Sequence, residues 1–234
     1  MKRCLMRLCL LLPVLGAPAL AADSSALPFQ DESLRYSVNW PSGLSLGEAS
    51  LTAHRGAGGW DLELTLEAGI PGLRIADRFH SVTRPDLCSV ELDREVHHGA
   101  RKTSEKTVFD YQNGLAHRTS LNGGGSSDVP MPAHCASDAL AFLFEARRVL
   151  GQGSLPQPKV VFLGPAYSIH LENAGEETIT LGGKPQVSDR VAVSIKGPAS
   201  SSNFEIAFAR DAARTPVRAR IPSSVGTISL ELSR

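Results

Sequence analysis

His134 and Cys135 stand side by side with Asp138 three residues on, directly before the only strongly helical stretch of the 234-residue chain. A thiolate at a helix N-terminus is activated by the helix dipole, so this trio has the composition of a cysteine nucleophile with its base. The competing reading is a structural disulfide, favoured if the chain is exported. His97 and His98 offer imidazoles, but adjacent residues of a strand point to opposite faces. Neither a zinc-protease His-Glu pattern nor a Cys-x-x-Cys pair accompanies them, so no metal is expected. Gly123-Gly124-Gly125 precedes no immediate helix, and Gly182-Gly183-Lys184-Pro185 lacks the hydroxyl residue of a phosphate loop, so both read as turns. No strand-turn-helix Gly-x-Ser-x-Gly elbow is present. No cofactor is implied, and the pattern favours a non-catalytic protein over an enzyme.

The context of these residues begins at the N-terminus. Lys2, Arg3 and Arg7 precede a short apolar run that ends at the small residues Ala19 and Ala21, the pattern of a secretory signal cleaved after residue 21. Pro13 and Pro18 interrupt that run, which is too short for a good membrane span. Loss of residues 1–21 leaves 21 basic against 24 acidic residues, net −3, with no basic run, so nothing points to nucleic acid. It also removes Cys4 and Cys9. Cys88 and Cys135 then form an even pair in an oxidising compartment, most simply a disulfide. Residues 22–32 read as a leader and 33–234 as a single β-rich domain.

The helix is predicted over 137–150. Ser137 and Asp138 suit its N-terminus, Arg147 and Arg148 its C-terminal end, and Gly151 the left-handed position beyond. Ala139, Leu140, Phe142, Leu143, Phe144, Ala146, Val149 and Leu150 cover roughly 220° of its circumference, against about 100° for a surface helix. It should be contacted on several sides. Arg147 falls inside that apolar arc, between Leu140 and Leu143. A cation there either pairs with an inward carboxylate and pins the helix, or meets the head group of an acidic apolar ligand.

Around the helix the period is two. Leu34, Tyr36, Val38 and Trp40 alternate with polar residues, as do Trp60, Leu62, Leu64, Leu66 and Ala68. About seven strands precede the helix and seven follow it. Asn113-Gly114 suggests a type I′ hairpin and Gly182-Gly183 another tight turn. Residues 122–132 and 151–158 read as flexible links. This spacing predicts a mainly β, antiparallel, strongly curved or barrel-like sheet, or alternatively a sandwich, with the helix filling its concave side. Aromatic content of 6% is too low for the two girdles of an outer-membrane barrel.

Three blocks carry a family resemblance: L-R-Y-S-V-N-W-P-S-G-L-S-L-G-E-A-S-L at 34–51, D-A-L-A-F-L-F-E-A-R-R at 138–148, and R-D-A-A-R-T-P-V-R-A-R-I at 210–221 with the strand 226–232. In order and spacing they resemble the bacterial exported-protein family called domain of unknown function 3108. The resemblance implies a secreted or periplasmic β-rich protein and transfers no catalytic residue. Where the family helix often has an aromatic pair before its arginine, this chain has Glu145-Ala146. The function expected is that of a soluble, non-catalytic envelope protein, binding an apolar or lipid-like ligand or an envelope protein partner. The alternatives are a hydrolase-type envelope enzyme with an irregular site and a purely structural envelope module.

Overall fold

A computed structural model describes residues 29–70, 72–132, 134–198, 200–223 and 226–233. The expected signal peptide and residues 22–28 of the leader lie outside them. The elements follow in order as β1 (Glu32–Asn39), β2 (Ser45–Gly56), β3 (Gly59–Ile70), β4 (Leu73–Thr83), β5 (Ser89–His98), β6 (Arg101–Asp110), β7 (Leu115–Ser120), β8 (Ser126–Pro130) and β9 (Ser137–Asp138). The helix α1 (Ala139–Gly151) precedes β10 (Lys159–Phe162), β11 (Ala166–Leu181), β12 (Lys184–Lys196), β13 (Ser201–Ala209), β14 (Pro216–Ser223) and β15 (Gly226–Ser233).

All strands belong to one sheet. Hairpin neighbours pair antiparallel from β1 out to β8 in one half and from β15 back to β10 in the other. The halves join where β1 pairs with β15, with Tyr36 opposite Leu232 and Val38 opposite Leu230. β9 is the exception to the antiparallel rule: it lies parallel to β10, Asp138 opposite Phe162. Thus β8 and β9 are the two edges, and the sheet is strongly curved but not closed by a strand ladder.

The alternation read from the sequence sets the inner face. Ala49, Leu51 and Ala53 lie opposite Leu66, Leu64 and Leu62 across β2 and β3, and with Tyr36 and Val38 they form one wall of the core. A second wall, Ile169, Leu171, Val191, Val193 and Phe208, comes from β11 to β13. The helix fills the space between: Leu140 and Phe144 pack into the first wall, and Phe142, Ala146 and Leu150 into the second. Each fully buried Leu or Phe contributes about 1.5–3 kcal/mol, so the broad apolar arc is what holds α1 inside the roll.

The two ends of the sheet meet through ring packing and a main-chain hydrogen bond. Phe109 of β6 and Phe162 of β10 pack edge to face at 5.3 Å, and the Ser89 amide donates to the Ala136 carbonyl at 2.9 Å. Beside this seam the largely buried carboxylate of Glu105 accepts from Arg94 and Arg118. Burial raises the Glu105 pKa, but Arg118 and Arg94 outweigh it and leave the group below the usual carboxylate range.

Four local expectations change. Residues 126–130, read as a flexible link, form β8, because the Gly-rich turn folds back so that Ser120 bonds Gly125. Residues 167–172 and 177–181, which each have the alternation of a separate strand among the seven expected after the helix, are one strand, β11, bent at a bulge between Asn173 and Gly175. The Asn113-Gly114 turn is not type I′: Gly114 has φ +68°, but the turn is built by Asp110, whose Oδ1 accepts from the amides of Gln112 and Asn113. Residues 29–32, placed in the leader, belong to the fold: Phe29 is buried against Trp60 and Phe144, and Glu32 opens β1.

Candidate functional site

At its N-terminal end the helix is capped by Asp138, one residue later than Ser137. Ser137 is drawn into the β9–β10 bridge, and its hydroxyl contacts Lys159 and Glu145 instead. Asp138 is fully buried. Its Oδ1 accepts from the amides of Leu140 (2.8 Å) and Ala141 (3.0 Å), and its Oδ2 from the hydroxyls of Ser81 (2.5 Å) and Ser89 (2.6 Å). One carboxylate therefore caps the helix and fastens it to β4 and β5. Burial pushes its pKa up, partly offset by these four donors.

Cys88 and Cys135 form a disulfide, with Cα atoms 4.9 Å apart, just outside this cap. That bond takes up the thiol of the His134-Cys135-Asp138 trio, whose Asp138 is already committed to capping. Arg84 closes the same corner: its guanidinium donates to the His134 carbonyl (2.9 Å) and lies over the Tyr111 ring.

The C-terminal end is fastened differently. Gly151 is still helical, and the left-handed residue is Gly153 (φ +79°), two positions later than expected. The amides of Gly153 and Ser154 return to the carbonyls of Leu150 and Val149, a Schellman arrangement. Arg147, wholly shielded from solvent, donates Nη1 and Nη2 to the two carboxylate oxygens of Glu32 and Nε to the carbonyl of Ala213 at 3.0 Å. The rings of Phe29 and Phe144 lie 4.9 and 4.7 Å from its guanidinium carbon. Close by, Tyr36 donates to the Pro216 carbonyl at 2.9 Å; burial raises its pKa, with Arg147 partly opposing. Arg147 thus touches β1 and the turn between β13 and β14 together.

That turn leads to an open cavity of about 450 Å³ beyond the end of the helix. Asp189 is its electrostatic centre, accepting from Arg210 Nε (2.9 Å) and Nη2 (2.6 Å) on one oxygen and from Arg214 Nη1 (2.7 Å) on the other. Arg210, followed by burial acting the other way and by Arg214, leaves the Asp189 carboxyl below its ordinary range. Among the described residues, no group of His, Cys, Asp and Glu is arranged to hold a metal ion. No helix among them is long and apolar enough to cross a membrane.

The family described as Protein of unknown function (DUF3108) matches residues 35–233. The chain belongs to this family. No curated protein matches it. Among solved structures, DUF3108 of this chain is similar to a β-barrel-like protein of domain of unknown function DUF1849 from Brucella abortus, at 8% identity and TM-score 0.60, covering 88% of this chain and 96% of that one. A candidate lipoprotein from Parabacteroides distasonis ATCC 8503 matches at 9% identity and TM-score 0.33, covering 88% and 94%. The first of these likenesses concerns the rolled fold.

Of the residues singled out in the sequence, Cys88, Cys135, Ser137 and Asp138 come together at the N-terminal end of α1, and Arg147 lies near its C-terminal end. Their partners Glu32, Ser81 and Ser89, from distant strands, and Ala213, from the turn before β14, were not among them. The signal for the turn was present, since Arg210 and Arg214 stand in the third block of the DUF3108 resemblance.

Proposed function

We propose that this DUF3108 protein is a non-catalytic, exported component of the bacterial envelope that works by binding an apolar, lipid-like ligand. The observation that carries this reading is how the buried charges are used. Asp138 and Arg147, the ionisable side chains most deeply enclosed in the roll among the described residues, are each bonded so as to tie α1 to the sheet. A catalytic acid or base has to be free to exchange a proton with substrate. These groups are instead committed to holding a rigid shell, and Arg147 serves as a helix pin, its guanidinium enclosed by Phe29, Phe144 and Glu32. The disulfide suits an oxidising compartment.

The test is to recover the protein from its own envelope by mild extraction and identify what leaves it on transfer to organic solvent. The reading expects one lipid class enriched in proportion to protein. No enriched compound, together with turnover of an envelope substrate by the same preparation, overturns it in favour of the hydrolase alternative.

A further inference from the structure

We infer that the cavity at the C-terminal end of α1 receives the anionic head, a carboxylate or phosphate, of a single-chain amphiphile, with Arg214 as the residue that binds it. This rests on the binding reading above and gives it a site and a ligand chemistry. At about 450 Å³ the cavity falls within the ~300–1,000 Å³ of small-molecule sites. Leu150, Leu155 and Val191 supply apolar lining, as a hydrocarbon chain requires.

The charged lining centres on two arginines and two carboxylates. Arg210 pairs with both Asp189 and Glu176, whereas Arg214 pairs with Asp189 alone. Asp189 is shared by Arg210 and Arg214, so it orients both guanidiniums. Arg214 commits one N–H to Asp189 and has five to offer.

The backbone gives an independent indication. Arg214 has φ +49°, one of two non-glycine residues in the left-handed region among those described. The other, Leu87, is buried in the core, so packing offsets its backbone cost. At Arg214 glycine would be the relaxed choice, and backbone strain retained at a cavity rim is characteristic of a functional position. The turn is held in this shape from both sides: Asp211 accepts from the amide and hydroxyl of Thr215, and Arg147 binds the carbonyl of Ala213. Arg147 is therefore a positioning residue for the site, acting through the turn.

Isothermal titration of the protein lacking residues 1–21 with decanoate, decyl phosphate and decanol tests the assignment. At least one of the two anions should bind, which of them identifying the head group, and decanol should bind about tenfold more weakly or not at all. Arg214→Gly should keep or raise the urea midpoint, because it relieves the left-handed residue, yet weaken the anion by about tenfold. Ser154→Trp, at the mouth, should weaken it as well. Equal binding of decanol, no binding of either anion, or undiminished binding by both variants overturns the site. An envelope compound that copurifies equally with wild type and Arg214→Gly would overturn this site while leaving the broader binding reading intact.

Discussion

Replacing Arg147 with Met is the sharpest perturbation of the helix. Met keeps much of the length and packing of the side chain but removes three hydrogen bonds, two to Glu32 and one to the Ala213 carbonyl, and the cation held between Phe29 and Phe144. Breaking a buried ion pair from one side costs about 3–5 kcal/mol, mostly because the remaining charge is stranded. Glu32 keeps 15% side-chain exposure, so water can reach the stranded carboxylate and the cost should fall near the lower end, about 3 kcal/mol. Neutralising Glu32 as well removes the stranded charge. Arg147→Met/Glu32→Gln should therefore be less destabilised than the two single changes summed, with a coupling of about 2 kcal/mol. Urea unfolding with the disulfide intact, followed by tryptophan fluorescence, reads this directly, since Trp60 is buried against Phe29. An unchanged midpoint for Arg147→Met, or single changes that simply add, would refute the pin.

Other elements give independent tests. Asp138→Ala strands two helix amides and two serine hydroxyls and should cost about 3 kcal/mol, whereas Asp138→Asn keeps the cap acceptor and should cost much less, by the same unfolding assay. Because burial raises the Asp138 pKa, the folded chain holds that proton to higher pH than the unfolded chain; wild type should lose stability relative to Asp138→Asn as pH rises above the ordinary aspartate range, and a difference independent of pH would contradict this. Replacing Cys88 and Cys135 with Ser opens a loop with a sequence separation of 47, and the loss of unfolding free energy should be about 4 kcal/mol. Gly164 sits at φ +94° with Glu105 Oε2 only 2.7 Å from where a Cβ would lie, so Gly164→Ala should destabilise the seam by about 2 kcal/mol, seen as a lower melting temperature.

What could be read from the sequence was what is local. Period-two alternation is written residue by residue in β1 to β3, and the apolar arc of α1 is wide enough to place the helix inside before any contact is known. Arg147 stood out for the same reason, as one charge in a dry arc. Its partner did not, because Glu32 lies 115 residues away in a segment whose composition resembles a leader. Ser81 and Ser89 look like ordinary strand serines; only the roll of the sheet brings both onto Asp138. The exact cap also depended on tertiary context, since Ser137 and Asp138 are both good N-cap residues and the bridge to Val161 decides between them. Short strands such as β8 were hidden because an edge strand needs a partner, here β7, more than a pattern of its own.

The most direct test of the central claim is native mass spectrometry of wild type and Arg214→Gly, each recovered from the same envelope under identical mild conditions. Wild type should carry a bound anionic amphiphile as a discrete added mass, and Arg214→Gly, equally folded, should be largely free of it. Two bare polypeptide masses, or the same added mass on both proteins, would contradict the claim that this shell exists to present Arg214 to a lipid-like anion.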